Sequence, residues 1–160
     1  MRKRVFLRSP VRENRTPGSV RGLLGNWQSY RDELYVASAD GLFHYAPERH
    51  ALEQLSSGDA RLAVWEHGLK QDALRDAPAV LLVCAVYSRT ETKYGQRATR
   101  YVHLEAGHAA QNLLLQAVAL GLGGVPIGAF YDDDLSAALG LPADHAPLYL
   151  LAVGYPSEQE

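Results

Sequence analysis

Apolar and polar positions along this chain change their period from one stretch to the next, and each period predicts an element. Leu34-Tyr-Val-Ala37 and Gly41-Leu-Phe-His-Tyr45 are short runs rich in aromatic and branched residues, joined through Ala39-Asp40-Gly41. A glycine in that turn can take a positive φ, so residues 34–45 read as a β-hairpin. Pro47 to His50 turns the chain again, and Ala51 to Leu55 adds a short strand. Ser57-Gly58-Asp59 offers a cap for a helix over about 60–74, which ends before Asp76-Ala77-Pro78. Ala79-Val-Leu-Leu-Val-Cys-Ala-Val86 is a continuous apolar run. Its length and branching predict a strand buried on both faces. Residues 88–99 are polar and read as a loop.

Tyr101 to Leu120 carries the clearest helical period. Glu105, His108, Asn112 and Gln116 fall three, four and four apart and form one polar stripe, with apolar residues over most of the remaining surface. A helix apolar on more than one side is central to a fold or lies at a subunit interface. It stops at Gly121 and Gly123-Gly124, where a C-cap is expected. Val125 to Phe130 reads as extended. Asp132 to Leu139 reads as a short helix with acidic residues in its first turn, which suits the helix dipole. Leu148 to Val153 predicts a final buried strand. The elements add up to an α+β domain over residues 31–160 with a central mixed or antiparallel sheet.

Composition changes this picture only at the N-terminus. The 160 residues are 47% apolar and 21% charged with a formal charge of -2, which suits one compact domain and gives no reason to expect nucleic acid or an acidic membrane as partner. Residues 1–30 differ. Arg2, Lys3, Arg4, Arg8, Arg12, Arg15 and Arg21 stand there against Glu13, among Gly, Ser and Pro, and the segment reads as a basic loop able to meet a phosphate. One cysteine, Cys84, excludes an intrachain disulfide and fits a reducing cytoplasm. No apolar run follows the basic start as in a secretory signal, and none approaches the ~20 residues that span a membrane.

Six stretches, in order, then carry a resemblance. They are Gly41-Leu-Phe-His-Tyr-Ala-Pro-Glu-Arg-His-Ala-Leu-Glu-Gln-Leu55, Asp76-Ala-Pro78, Lys93-Tyr-Gly-Gln-Arg-Ala-Thr-Arg-Tyr101, Glu105-Ala-Gly-His-Ala-Ala-Gln-Asn-Leu113, Gly121-Leu-Gly-Gly-Val-Pro-Ile-Gly-Ala-Phe130 and Leu150-Leu-Ala-Val-Gly-Tyr-Pro156. Together they resemble the nitroreductase superfamily, closest to its SagB-type azoline-dehydrogenase branch. The resemblance implies a nitroreductase-like α+β fold, FMN as cofactor, an intertwined homodimer around the central helix, and hydride transfer between a substrate and the flavin. It also marks two departures. The family's Arg-rich phosphate grip and its following helices normally precede the hairpin, whereas here the hairpin begins at Leu34, so those helices are missing or diverged. Arg8-Ser-Pro-Val-Arg12 is similar to the grip. Thr16-Pro-Gly-Ser19 and Asn26-Trp-Gln28 look like rearranged pieces of cofactor-contacting motifs, which makes Ser19 and Asn26 candidate FMN contacts.

The resemblance sharpens two sites. It lays the backbone of Pro126, Ile127, Gly128 and Ala129 over the isoalloxazine, where N–H groups donate to N5 and O4. Local sequence alone also allows a plain helix-to-strand loop. It makes Lys93 and Tyr94 the catalytic pair, since a lysine with depressed pKa or a tyrosine beside a cation can take a proton from carbon. The bland alternative is a solvated pair in a polar loop. Arg97 and Arg100 could meet an anionic peptide substrate or the flavin phosphate, or cover the surface with their stems. A metal is not expected. His103 and His108 are five apart, about 140° around a helix, whereas helical zinc pairs sit at i, i+4. Cys84 reads as a small buried hydrophobe. Glycine-rich phosphate loops and serine elbows are absent.

Three functions follow. One is a SagB-type FMN dehydrogenase acting on an azoline in a modified peptide. Another is a general nitro- or quinone-reductase using NAD(P)H. The third, from another class, is a non-catalytic relic or partner subunit that binds no FMN.

Overall fold

The structure is a computed structural model that describes residues 4–5 and 32–156. Its frame is one antiparallel sheet of strands β1 (Arg4–Val5), β2 (Glu33–Ser38), β3 (Gly41–Ala46), β4 (Ala51–Ser57), β5 (Ala79–Ala85), β6 (Gly123–Ile127) and β7 (Ala146–Gly154), in the order β1-β4-β3-β2-β5-β7-β6. β5 is central, and the expected burial on both faces holds. Val80, Leu82 and Cys84 point into one core with Val64, Leu74 and Leu135, while Leu81 and Val83 point into another with Ala106, Ala109 and Ala110. That alternation is the two-residue period of a strand. Helices α1 (Arg61–His67), α2 (Asp72–Asp76) and α5 (Asp132–Leu139) cover the first face, and α4 (Ala98–Ala119) covers the second.

The hairpin forms as expected, with the first strand one residue longer at each end and the second one residue longer at its end. Gly41 is required at its turn: φ is 148° and a Cβ there would stand 2.0 Å from the Ser56 carbonyl oxygen. The last strand also extends beyond the expected 148–153. At the C-terminus of α4, Leu122 N–H donates to Ala117 O (2.9 Å) and Gly121 N–H to Val118 O (3.0 Å), a Schellman cap with Gly121 at φ 74°.

Three expectations need correction. The basic segment is not wholly loop, because Arg4–Val5 pairs with Glu53 and Leu52 of β4. The helix expected over 60–74 is two helices. On one straight helix Val64 and Leu74 would lie about 15 Å apart and about 80° around the axis, yet both are fully buried in the same core. The chain folds between them through a corner in which Leu69 and Lys70 take φ of 56° and 52°. Residues 88–99 are not a loop either. They form α3 (Tyr87–Tyr94) and a 3-10 turn (Gly95–Arg97) that leads straight into α4. Thr90 is the one buried residue of α3, so the segment shows no apolar stripe, and its packing on α4 rather than its own pattern stabilises it.

A Gly41→Ala substitution combines an unfavourable φ with a backbone clash, and should cost about 2 kcal/mol or more. Urea unfolding checks this through a lower midpoint at an unchanged slope.

Candidate functional site

Among the described residues, strand β6 is the last in the sheet and forms one of its edges. A proline inside a strand is tolerated on such an edge, which is where Pro126 sits. Ile127 is buried beneath the sheet, so only its backbone can serve a ligand. Gly128 and Ala129 are exposed, and Phe130 turns back against the core. Among the described residues the N–H groups of Gly128 and Ala129 have no acceptor. The outer side of the segment is tied to the α1–α2 corner: Tyr131 N–H donates to His67 O at 2.9 Å, and Gln71 Nε2 donates to Ala129 O at 3.1 Å. Exposed, fixed N–H groups on a glycine-containing edge fit a flat ring that carries acceptor atoms. The candidate contacts Ser19 and Asn26, and the basic side chains of residues 1–31, lie outside the described residues.

Lys93 and Tyr94 end α3. Lys93 Nζ lies 5.1 Å from the centre of the Tyr94 ring, and that ring meets Tyr101 edge-on with centroids 4.8 Å apart. Arg97 hydrogen-bonds Tyr101. Four residues of the 93–101 motif thus form one exposed platform of cations and aromatic rings. Among the described residues, no hydrogen bond, ion pair or ring contact joins this platform to Gly128 and Ala129. His103 bonds the Tyr87 hydroxyl (2.9 Å), and among the described residues no three His, Cys, Asp or Glu side chains come together as metal ligands. Cys84 is fully buried, and burial pushes its thiol up.

On α4 the predicted polar stripe is only partly what faces outward. His108 is exposed, while Glu105, Asn112 and Gln116 are half-buried along the flank of the helix. The fully outward face carries Leu104, His108, Gln111, Leu115 and Val118, with Val118 70% exposed.

A charged cluster escaped the sequence reading. Glu33 at the start of β2 accepts from His44 Nε2 (2.6 Å) and pairs with Arg89 of α3. Beside it, the Tyr35 hydroxyl and His145 Nδ1 lie 2.6 Å apart. Burial drives the His145 imidazole towards its neutral form. Burial pushes Glu33 up, but the His44 and Arg89 bonds outweigh it and hold the carboxyl at about 2. Asp32 goes the other way. It is 5% exposed, its Oδ2 has no hydrogen-bond partner among the described residues, and burial with the nearby Glu105 and Glu33 raises it from 3.8 to about 7. No local signal reveals this cluster, because residues 32–35, 44, 89 and 145 meet only in the folded chain.

The two carboxyls give opposite pH dependences. Glu33 contributes stability that is present above its ordinary 4.5 and is lost as pH falls through about 2. Asp32 contributes stability that is complete below 3.8 and is lost as pH rises through about 7. Asp32→Asn removes the second limb. The variant should be more stable than wild type at pH 8 by roughly 1–3 kcal/mol, because the amide does not ionise and the folded chain no longer has to hold a proton on a buried carboxyl. It should show no such gain at pH 4. Parallel urea-unfolding profiles across that range would refute the assignment.

The nitroreductase family matches residues 24–155. A Methanocaldococcus jannaschii protein named as a nitroreductase is 40% identical over 132 residues, which cover 79% of this chain and 66% of that protein. A solved structure from Anabaena variabilis, likewise named, is 34% identical, covers 78% of this chain and 27% of that one, and superposes with a TM-score of 0.73. A chain of the E. coli microcin synthetase complex McbBCD shares the fold at 21% identity and a TM-score of 0.72, covering 94% of this chain and 59% of that one. The chain therefore spans no more than about two thirds of these relatives. Its α+β architecture is nitroreductase-like, and the chain belongs to the nitroreductase family.

Proposed function

We propose that this chain is the flavin-binding core of an FMN-dependent oxidoreductase of the SagB type, which dehydrogenates an azoline in a modified peptide. The observation that carries the reading is the pair of N–H groups at Gly128 and Ala129, which have no acceptor among the described residues and sit on a sheet edge tied down from behind. Pro126, Ile127, Gly128 and Ala129 would hold the ring through their backbone. Bound FMN supplies the two-electron acceptor. The chain's own residues supply the proton chemistry: Lys93 and Tyr94 take the proton from the substrate carbon, and Tyr101 steadies the Tyr94 ring. Arg97 and Arg100 add positive charge for an anionic peptide. NAD(P)H-driven reduction of nitro compounds or quinones would use the same flavin site without needing the Lys-Tyr pair.

Among the described residues, no hydrogen bond, ion pair or ring contact joins the platform at 93–101 to the segment at 126–129. A homodimer packed through the outward face of α4 would bring the two sets together across the interface. Leu104, Leu115 and Val118 give that face the apolar area such packing needs.

Purified protein should show flavin absorbance close to one FMN per chain, or acquire it on reconstitution. A colourless protein that cannot be reconstituted would sink the flavin reading. Alanine at both Lys93 and Tyr94 should leave FMN bound and cut azole formation by at least about a hundredfold, the usual scale of acid–base catalysis; unchanged turnover would leave the general reductase. Leu115→Glu should convert a dimer into monomers in sedimentation, and a wild-type monomer would contradict the proposed packing.

A further inference from the structure

We propose that Gln71, at the corner between α1 and α2, is a positioning residue that holds the backbone donors of Gly128 and Ala129 in the geometry the cofactor ring requires. The inference rests on the flavin reading above. One nitrogen of its carboxamide serves two carbonyls: Nε2 donates to Gly68 O at 3.0 Å and to Ala129 O at 3.1 Å, the latter 58 residues away in sequence. A primary amide has two hydrogens, one for each bond. The main chain of Gln71 is fixed as well, since its carbonyl accepts from Leu74 N–H (3.0 Å) and Arg75 N–H (3.3 Å).

The corner that carries Gln71 is built to stay in place. Leu69 and Lys70 both adopt left-handed φ, a conformation unfavourable for residues with a Cβ that persists only where surroundings enforce it. Lys70 N–H donates to Trp65 O at 3.0 Å. Gly68 is closed against the fully buried Leu74, where a Cβ would come within 2.2 Å of Cδ1.

This corner holds the segment in two places. Gln71 takes the Ala129 carbonyl, and the His67 carbonyl takes Tyr131 N–H at 2.9 Å. On the other side, Ile127 is locked in the β6–β7 ladder opposite Leu150. Gly128 and Ala129 are therefore suspended between fixed points. Gly128 has no side chain to restrict it, so without the Gln71 bond it would sample many more backbone states. The Gln71–Ala129 bond is solvent-exposed, and water competes for both partners, so its contribution to global stability is small. It fixes the peptide plane between Ala129 and Phe130; with Ile127 held in the ladder, that limits the rotations left to the two peptide planes in between, which carry the Gly128 and Ala129 N–H groups. Donors aimed in advance bind and polarise a ligand better than donors that must reorganise.

The test uses the full chain with Gln71→Leu, which removes both bonds, and Gln71→Glu, whose carboxylate repels both carbonyls but whose protonated form regains one donor. In the apo-protein the Tyr131 amide should exchange about tenfold faster in both variants at neutral pH, with the urea midpoint nearly unchanged. FMN affinity, read by quenching of flavin fluorescence, should fall about tenfold, the scale of one hydrogen bond. The midpoint potential of bound FMN should become more negative, because misaimed N–H groups favour the reduced flavin less. Lowering the pH should restore part of the affinity in Gln71→Glu but not in Gln71→Leu. Should Gln71→Leu fail to fold, the pH response of Gln71→Glu decides alone. Wild-type protein that binds no FMN would refute the flavin reading itself, and the assignment of Gln71 with it. Wild type that binds FMN beside variants of equal affinity and potential would overturn the assignment of Gln71 only, whatever the amide exchange shows.

Discussion

β5 must hide both of its faces, and the layout of the protein follows from that need. Val80, Leu82 and Cys84 require cover on one side, while Leu81 and Val83 require it on the other. A central position in the sheet satisfies the edges of the strand through β2 and β7. Two helical layers then become obligatory. The long α4 supplies one with Ala106, Ala109 and Ala110, small residues that let it approach the sheet closely. The other layer is assembled from short pieces, α1, α2 and α5, each contributing one fully buried residue.

That second layer explains the candidate site. A single straight helix could not seat both Val64 and Leu74, so the chain bends at Gly68 to Lys70 and leaves a strained corner beside the end of β6. The corner carries Gln71 and the His67 carbonyl to the segment that leaves the sheet edge. The sheet edge, the glycine, and the tie from behind belong to one arrangement. The edge provides access, Gly128 permits close approach, and the corner removes the freedom that glycine would otherwise bring.

The charged cluster at the start of β2 shows how one neighbourhood can push two adjacent carboxyls apart. Glu33 faces His44 and Arg89 and keeps its charge, whereas Asp32 faces burial and two other carboxylates and tends to hold its proton. The cluster joins β2, β3, α3 and the loop before β7, so it fastens the helix that carries Lys93 and Tyr94 to the hairpin.

The sequence by itself determined the hairpin, the doubly buried β5, the helix that became α4 with its glycine cap, the short acidic-headed α5, and the family. Each of these is written in a local period or an ordered motif: alternation, a 3.6-residue repeat, or a glycine where only glycine fits. Lys93, Tyr94 and the Pro126–Ala129 segment stand out as candidates for the same reason, though their spatial arrangement does not. Only the tertiary structure decided that α1 and α2 are separate, that residues 87–97 are helical, and that Arg4–Val5 joins the sheet. Those outcomes depend on packing against distant elements, and a polar segment such as α3 carries no apolar stripe to announce them. Gln71 and the Asp32–Glu33–His44–Arg89–His145 cluster were invisible on the same ground. Their meaning lies in contacts across tens of residues, and a lone glutamine between two helices looks like any other until Ala129 O is found beside it.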